Sequence, residues 1–384
     1  MQISTSPILD SRAPHRTVAV NESVPGNVTS IQFLRFVAAA LVVFVHASEA
    51  VSQRLPGSIS KTFLQNAFFG ASGVHIFFVI SGFIMVYTSF YKKNDGTFSS
   101  STFLSRRFVR IYPIYFVYVA FYIYFYHNFL GTPLLSIGEL IGVLLLVPGY
   151  SSKIIGPGWT LAYEVYFYLC FSVAMMFGLK NGIRALTAFF LASISLRFFV
   201  DTSPQAIFVF TNSLLIEFLL GAWIGYAVVS DVHIGDLPAR LLLLLGLTGF
   251  MAGIIFGFAS IPSVLTWGAP SALLVGGFVF IERNGHIPTL IRKCAFLGDS
   301  SYSLYLIHVV LIDIVILMLL ATNFSQSLVT CAQYVGSGGM ILVCCVVSAY
   351  CIAVAIVLYE LIEKRGIGRL RGFFRRKSIV ERTG

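Results

Sequence analysis

Eleven apolar runs divide the chain, at about 31–50, 68–90, 111–130, 137–149, 160–178, 183–200, 207–229, 239–258, 262–282, 300–321 and 337–360. About 20 apolar residues suffice for a helix to cross a hydrocarbon core, and most of these runs reach that length. Within a bilayer each helix satisfies its own backbone, so the pattern predicts an all-α, polytopic helical bundle. The run at 137–149 is the exception, with about thirteen residues against a minimum near 17 for crossing. It is expected as a short re-entrant or interfacial segment, leaving about ten membrane-spanning helices.

Composition closes off the soluble alternatives. Hydrophobic residues make up 57% of the chain and charged residues 11%, where a soluble domain carries roughly a quarter charged. No long polar block interrupts the runs, so any activity is expected within the membrane or its short loops. Residues 1–30, polar and carrying Pro7, Pro14 and Pro25, are expected as a disordered cytoplasmic tail. The membrane domain then covers 31–363 and a basic cytoplasmic tail covers 364–384. The six cysteines form no CxxC pair and no metal-ligand spacing, so they read as packing residues with no metal site.

The net charge of +10 is concentrated at the ends of apolar runs, which argues for membrane orientation and anionic lipid rather than nucleic acid. With ten spans, 21 of the 26 Lys and Arg fall on one side and only Arg54, Lys61 and Lys153 on the other. Arg35 and Arg197 fall within runs. The asymmetry predicts both termini in the cytoplasm.

Ionisable groups inside the runs cost ~2.5–3.5 kcal/mol each on insertion scales and ask for a reason. Arg35 and His46 lie eleven residues apart on the first run, which places them on one helix face about 16 Å apart. Glu49 follows His46 by one turn on that face. A snorkelling arginine and a packing histidine would be the plain explanations, but the three together on one stripe favour chemistry. On the second run Gly70, Gly73 and Gly82 permit close helix approach, and His75 is expected at the depth of His46, within reach of it across a helix pair. Arg107 and Arg110, one turn apart at the mouth of the third run, serve either topology or bidentate phosphate binding. Trp159 suits an interfacial belt, whereas Glu164 falls about one turn into the bilayer. Tyr305 and His308 share a face, with His308 near mid-membrane.

These segments, in this order, resemble the acyltransferase-3 family of bacterial membrane proteins, which O-acylate cell-surface and exported polysaccharides. The resemblance runs from about residue 30 to 363. It rests on the Arg35-x10-His46 spacing, Gly73-Val-His75 through Ser81-Gly82-Phe83, Arg107-x-x-Arg110-Ile-Tyr112-Pro113, Trp159 through Tyr168, and Ser301-Tyr-Ser-Leu-Tyr305-Leu-Ile-His308. It implies a multi-pass protein of the bacterial cytoplasmic membrane that uses acetyl-CoA or another acyl-CoA as donor, with no permanently bound cofactor. The acceptor would be a polysaccharide or lipid-linked glycan, with export machinery as a partner. Arg35 and His46 would be the essential pair, and Arg107 and Arg110 the paired arginines of the family. Two positions depart from the family pattern: His75 stands where many relatives carry an acidic residue, and Lys364 follows Glu363 where a proline is common.

Acyl transfer needs an activated alcohol, a thioester held in line and donors for the developing oxyanion. His46 is the expected base, with Glu49 or another carboxylate orienting it, and Glu164 is a further catalytic candidate; Arg107 and Arg110 are expected on CoA phosphates and Arg35 along the donor's route. His75, Trp159, Tyr305 and His308 are expected to support the site. Either direct transfer or an acyl-histidine intermediate satisfies these residues. A transporter or flippase of lipid-linked sugars also fits intramembrane charge, but it predicts an internal repeat, which the runs do not show. A sensor or scaffold leaves the His and Arg placement unexplained.

Overall fold

The computed structural model describes residues 28–54, 68–90, 98–256, 262–322 and 337–367. Most of the two predicted tails, at 1–27 and 368–384, lies outside the described residues, as do Lys61, Lys92 and Lys93. Among the described residues every regular element is helical. They are α1 (Thr29–Arg54), α2 (Ser72–Phe90), α3 (Ser100–Leu130), α4 (Ile137–Leu144), α5 (Gly158–Ala174) and α6 (Leu179–Leu196). After these come α7 (Gln205–Phe210), α8 (Leu215–Val229), α9 (Asp236–Phe256), α10 (Ala269–Arg283), α11 (Thr289–Cys294), α12 (Ser301–Leu320) and α13 (Ser337–Leu358).

Nine helical stretches among the described residues are long and apolar enough to cross a membrane. The predicted span at 183–200 is not among them and becomes α6, 18 residues long. Lys180 and Arg184 at its start dilute its apolar character, and Arg197 caps its far end rather than lying within it. The run at 137–149 folds as the eight-residue α4 followed by turns, far too short to cross.

The third run extends N-terminally beyond its apolar part. Ser99 caps α3 by accepting the Thr102 N–H at 3.4 Å, and the helix runs through Arg107, Arg110 and Pro113. The two arginines are therefore helical residues eight and eleven positions into α3, not a loop at its mouth. Pro113 costs the helix a single N–H donor, which the surrounding packing tolerates.

Packing is closest between α2 and α8. A Cβ added at Gly82 would overlap the backbone carbonyl of Phe218, and one added at Gly221 would overlap that of Val79. Each glycine thus admits the backbone of the other helix, the close approach that small residues allow in membranes. Gly82→Leu should separate the pair at the upper end of the ~1–3 kcal/mol typical of overpacking or beyond. Thermal unfolding in detergent checks this, with a fall of several degrees in Tm expected; an unchanged Tm would contradict the packing.

α4 is fixed by reciprocal capping. Ser136 Oγ accepts the Glu139 N–H at 3.3 Å, and the Glu139 carboxylate accepts the Ser136 N–H at 3.0 Å. Lys153 adds a contact of 2.5 Å to the same carboxylate, and these donors hold its pKa down to about 2. Because the folded value lies below the unfolded one, this tie contributes stability at neutral pH and loses it as pH falls from about 4.5 toward 2. Pepsin should therefore cut the 145–157 turns more readily as pH falls through that window, and Glu139→Gln should flatten the dependence.

Candidate functional site

The start of α1 is pinned by Glu282 at the end of α10. Its carboxylate accepts the Thr29 and Ser30 N–H groups, each at 2.8 Å, and the Ser30 hydroxyl at 2.6 Å. A negative group against a helix N-terminus satisfies otherwise orphaned donors and opposes the positive end of the dipole. One turn on, Gln32 donates to Asp299 at 3.1 Å and accepts from the Arg35 guanidinium at 2.7 Å. This relay aims Arg35 into the bundle.

Two adjoining cavities meet at Arg35. The first holds about 720 Å³ of open space and is lined by Arg35, Ser81, Arg110, Glu164, Tyr302 and Tyr305 among others. The second, about 850 Å³, continues past Thr88, Asp299 and Glu363. Arg35, Ile84, Arg110 and Tyr302 border both. Glu164 accepts the Ser81 hydroxyl at 3.0 Å and the Tyr168 hydroxyl. Among the described residues Arg110 has neither a hydrogen-bond nor an ion-pair partner, so its guanidinium faces the open space uncommitted. Such a group is costly inside a membrane unless an anion or water meets it.

Arg107 is turned elsewhere. It donates to the Thr88 hydroxyl at 2.9 Å and lies over the rings of Phe103 and Tyr168 at 5.5 and 5.9 Å. Arg107 and Arg110 thus differ in their present partners, although Thr88, which holds Arg107, itself borders the second cavity. Three residues of helix separate them by about 300°, and the wide stripe they share is split between a protein contact and the cavity.

Beyond Tyr305 the first cavity approaches a histidine pair. Tyr305 is 2.7 Å from the Thr160 hydroxyl and donates to the Pro157 carbonyl at 3.2 Å, which fixes the first turn of α5 against α12. Its ring centroid lies 6.0 Å from that of His308, which in turn lies 5.1 Å from that of His46. His308 is fully buried, and its Nδ1 is 3.2 Å from the Leu304 carbonyl. A carbonyl only accepts, so Nδ1 carries the proton and Nε2 presents a lone pair, which has no partner among the described residues. Glu49 faces His46 Nδ1 at 3.6 Å, an electrostatic contact too long for a hydrogen bond. Glu49 therefore biases His46 without locking its tautomer.

His75 is not part of this pair. Its Nδ1 lies 2.6 Å from Glu217, and its ring stacks on Trp267 with centroids 5.6 Å apart. His75 also lies nearer the Arg35 end than expected, since Gly73 packs against Ala38 and Val42 of α1 rather than near His46; Val74 lines the first cavity, and the next residue turns toward α8 and the stretch before α10. Glu164, likewise, belongs with Arg35 and Arg110 rather than with His46. Trp159 opens away from these cavities and packs edge-on against Tyr163 and Phe78.

Two ionisable groups were missed in the sequence although they lie inside apolar runs. Glu217 is fully buried beside His75. Asp313 binds Arg54 at 2.8 Å and the Tyr126 hydroxyl at 2.6 Å, tying the ends of α1 and α3 to α12. The insertion cost of a carboxylate would have singled out both.

The architecture is that of a polytopic membrane enzyme, with uncommitted cationic and imidazole groups enclosed among membrane-length helices. The chain belongs to the acyltransferase-3 family: the family model described as "Acyltransferase domain" matches residues 28–359. It is a membrane acyltransferase.

Among its relatives is the exopolysaccharide production protein ExoZ of Rhizobium meliloti (strain 1021), 28% identical over 258 residues, covering 64% of this chain and 78% of the relative. Nodulation protein 10 of Rhizobium leguminosarum bv. viciae is 25% identical over 332 residues, covering 77% and 86%. Acyltransferase MdmB of Streptomyces mycarofaciens is 27% identical over 274 residues, covering 63% and 68%. No solved structure matches the chain.

Proposed function

We propose that this protein transfers an acetyl or similar acyl group from cytosolic acyl-CoA to a hydroxyl of a cell-surface or exported polysaccharide. The observation that carries the reading is the uncommitted Arg110 guanidinium beside Arg35, in open space that leads by way of Tyr305 toward His308 and His46. A planar fork of donors in a low-dielectric cavity suits the phosphates of a CoA ester. The relative described as an exopolysaccharide production protein favours a polysaccharide acceptor.

In this reading the Arg35 and Arg110 end faces the cytoplasm of a bacterial inner membrane, and both termini lie on that side. Acyl-CoA enters past Asp299 and Glu363, and its phosphates meet Arg110 and Arg35. The pantetheine arm then carries the thioester outward, a distance comparable to the ~16 Å rise from Arg35 to His46. His46 takes the proton of the acceptor hydroxyl as the alkoxide oxygen attacks the thioester carbonyl. The C–S bond breaks, the new C–O ester forms, and CoA leaves as a thiolate that picks up a proton. Glu49 favours a proton on His46 Nδ1, which frees Nε2 as the base. His308 presents its Nε2 lone pair alongside and acts as a positioning residue for the acceptor hydroxyl or the imidazolium at 46.

The test is CoA release by the purified protein from acetyl-CoA, with and without base-deacetylated surface polysaccharide from the producing cell. Acceptor-dependent release, with O-acetyl esters appearing on the glycan, is expected. Movement of a lipid-linked glycan across vesicles without thioester consumption would replace the enzyme reading with that of a flippase.

A further inference from the structure

A third cavity, of about 970 Å³ of open space, lies outside the groups used so far. It stands at the end of the bundle where α3 finishes and α5 begins, opposite the mouth bordered by Asp299 and Glu363. Its walls come from the turns after α4, the first turns of α5, α7 and the α7–α8 connection. The cavity proper, about 500 Å³, falls within the range of small-molecule sites, ~300–1,000 Å³.

The lining is aromatic and neutral-polar. Trp159, 39% exposed, and Tyr163 supply ring faces and edges. Gln205, Asn212, Ser151 and Ser152 supply amides and hydroxyls. Asn212 uses its Oδ1 to accept the Leu214 N–H at 3.0 Å, which orients the amide and leaves the Nδ2 donors to the cavity. The Gln205 amide has no hydrogen-bond partner among the described residues. Gly149, at φ 87°, lets the backbone turn close against Gln205, where a Cβ would stand 3.2 Å from the Gln205 Cβ. The nearby cations are committed elsewhere: Arg197 lies over the Phe208 ring at 5.0 Å, and Lys153 binds Glu139.

Rings beside oriented, uncharged donors and acceptors match the chemistry of a sugar, with its apolar C–H face and its edge of hydroxyls. The cavity is also linked to the transfer site through neighbouring residues of α5. Trp159 faces it, while the next residue, Thr160, contacts Tyr305 beside His308.

We infer that this cavity binds an uncharged saccharide unit of the acceptor glycan, gripping it with Gln205 and Asn212 against Trp159 and presenting a neighbouring hydroxyl to the transfer site. The inference rests on the acyltransfer reading for the fate of the bound glycan, but not for its binding.

The test uses the full-length protein in detergent or nanodiscs, with oligosaccharides cut from the base-deacetylated surface polysaccharide as probe. Calorimetry measures probe binding without acetyl-CoA, and CoA release measures turnover. Gln205→Ala and Asn212→Ala should each weaken binding and raise the KM for the oligosaccharide about 3- to 10-fold, as for one lost hydrogen bond, while the KM for acetyl-CoA stays within twofold. Circular dichroism and Tm establish that both variants are folded. Turnover with wild-type glycan affinity in both variants would overturn the cavity assignment and leave the enzyme reading intact. Probe binding weakened by the variants, in a protein that never releases CoA, would support the cavity and overturn the acyltransfer reading.

Discussion

Replacing His46 by alanine is expected to lower acyl transfer by ~10²–10⁴-fold, the contribution of a positioned general base. A sugar hydroxyl is barely ionised near neutral pH, so losing the group that takes its proton leaves no nucleophile of comparable strength. His46 is suited to the role by position: it stands between the carboxylate of Glu49, 3.6 Å from its Nδ1, and the ring of His308 at 5.1 Å. Its side chain is 34% exposed, so truncation opens no sealed core cavity, and the variant should keep wild-type Tm within a few degrees. Glu49→Gln keeps the shape but removes the charge, and should cost much less than His46→Ala because no hydrogen bond links the two. His308→Ala is the structural contrast, since that side chain is fully buried and its loss leaves a void. A folded His46→Ala protein with wild-type turnover would remove His46 from the chemistry.

The second large effect is expected at Arg110. Charge-assisted hydrogen bonds contribute about 1.5–3 kcal/mol, so Arg110→Ala should raise the KM for acyl-CoA roughly 10- to 100-fold. Arg110→Lys should recover only part of that, because an ammonium keeps the charge and loses the planar fork. Arg107→Ala should behave differently. That guanidinium is tied to Thr88 at 2.9 Å and covers two rings, so its loss should lower Tm and leave the KM for acyl-CoA within about twofold. Saturation curves for acyl-CoA against each variant separate the two arginines. Equal KM increases for both would restore the idea that they grip the donor as a pair.

That contrast marks where sequence reasoning reached its limit. Apolar run length foretold the helical bundle, and the shortness of 137–149 foretold an element that does not cross. The small residues of the second run foretold close packing, which Gly82 shows against the Phe218 backbone. Period and depth along one helix were also legible: Arg35 enters a cavity and His46 sits a few turns further on, beside Glu49. What was not legible is which helix each polar face meets. Depth was expected to put His75 level with His46, but in the packed bundle Gly73 meets Ala38 and Val42 of α1, His75 turns to Glu217, and it is His308 that faces His46. Two residues one turn apart on α3 likewise part company because one meets Thr88 and the other meets open space. Run boundaries misled as well, since hydropathy begins the third run at 111 while the helix begins at Ser100. A capping serine and basic residues at a membrane face extend a helix without adding apolar signal.

The most direct measurement of the central claim uses the protein reconstituted into sealed vesicles with the deacetylated glycan on one side and acetyl-labelled acetyl-CoA on the other. Label should appear as O-acetyl ester on the glycan when the two are on opposite sides, with CoA released on the donor side, and both signals should vanish in His46→Ala. Label transfer only when donor and glycan share a side, or transfer that survives His46→Ala, would contradict a handover through the bilayer at His46.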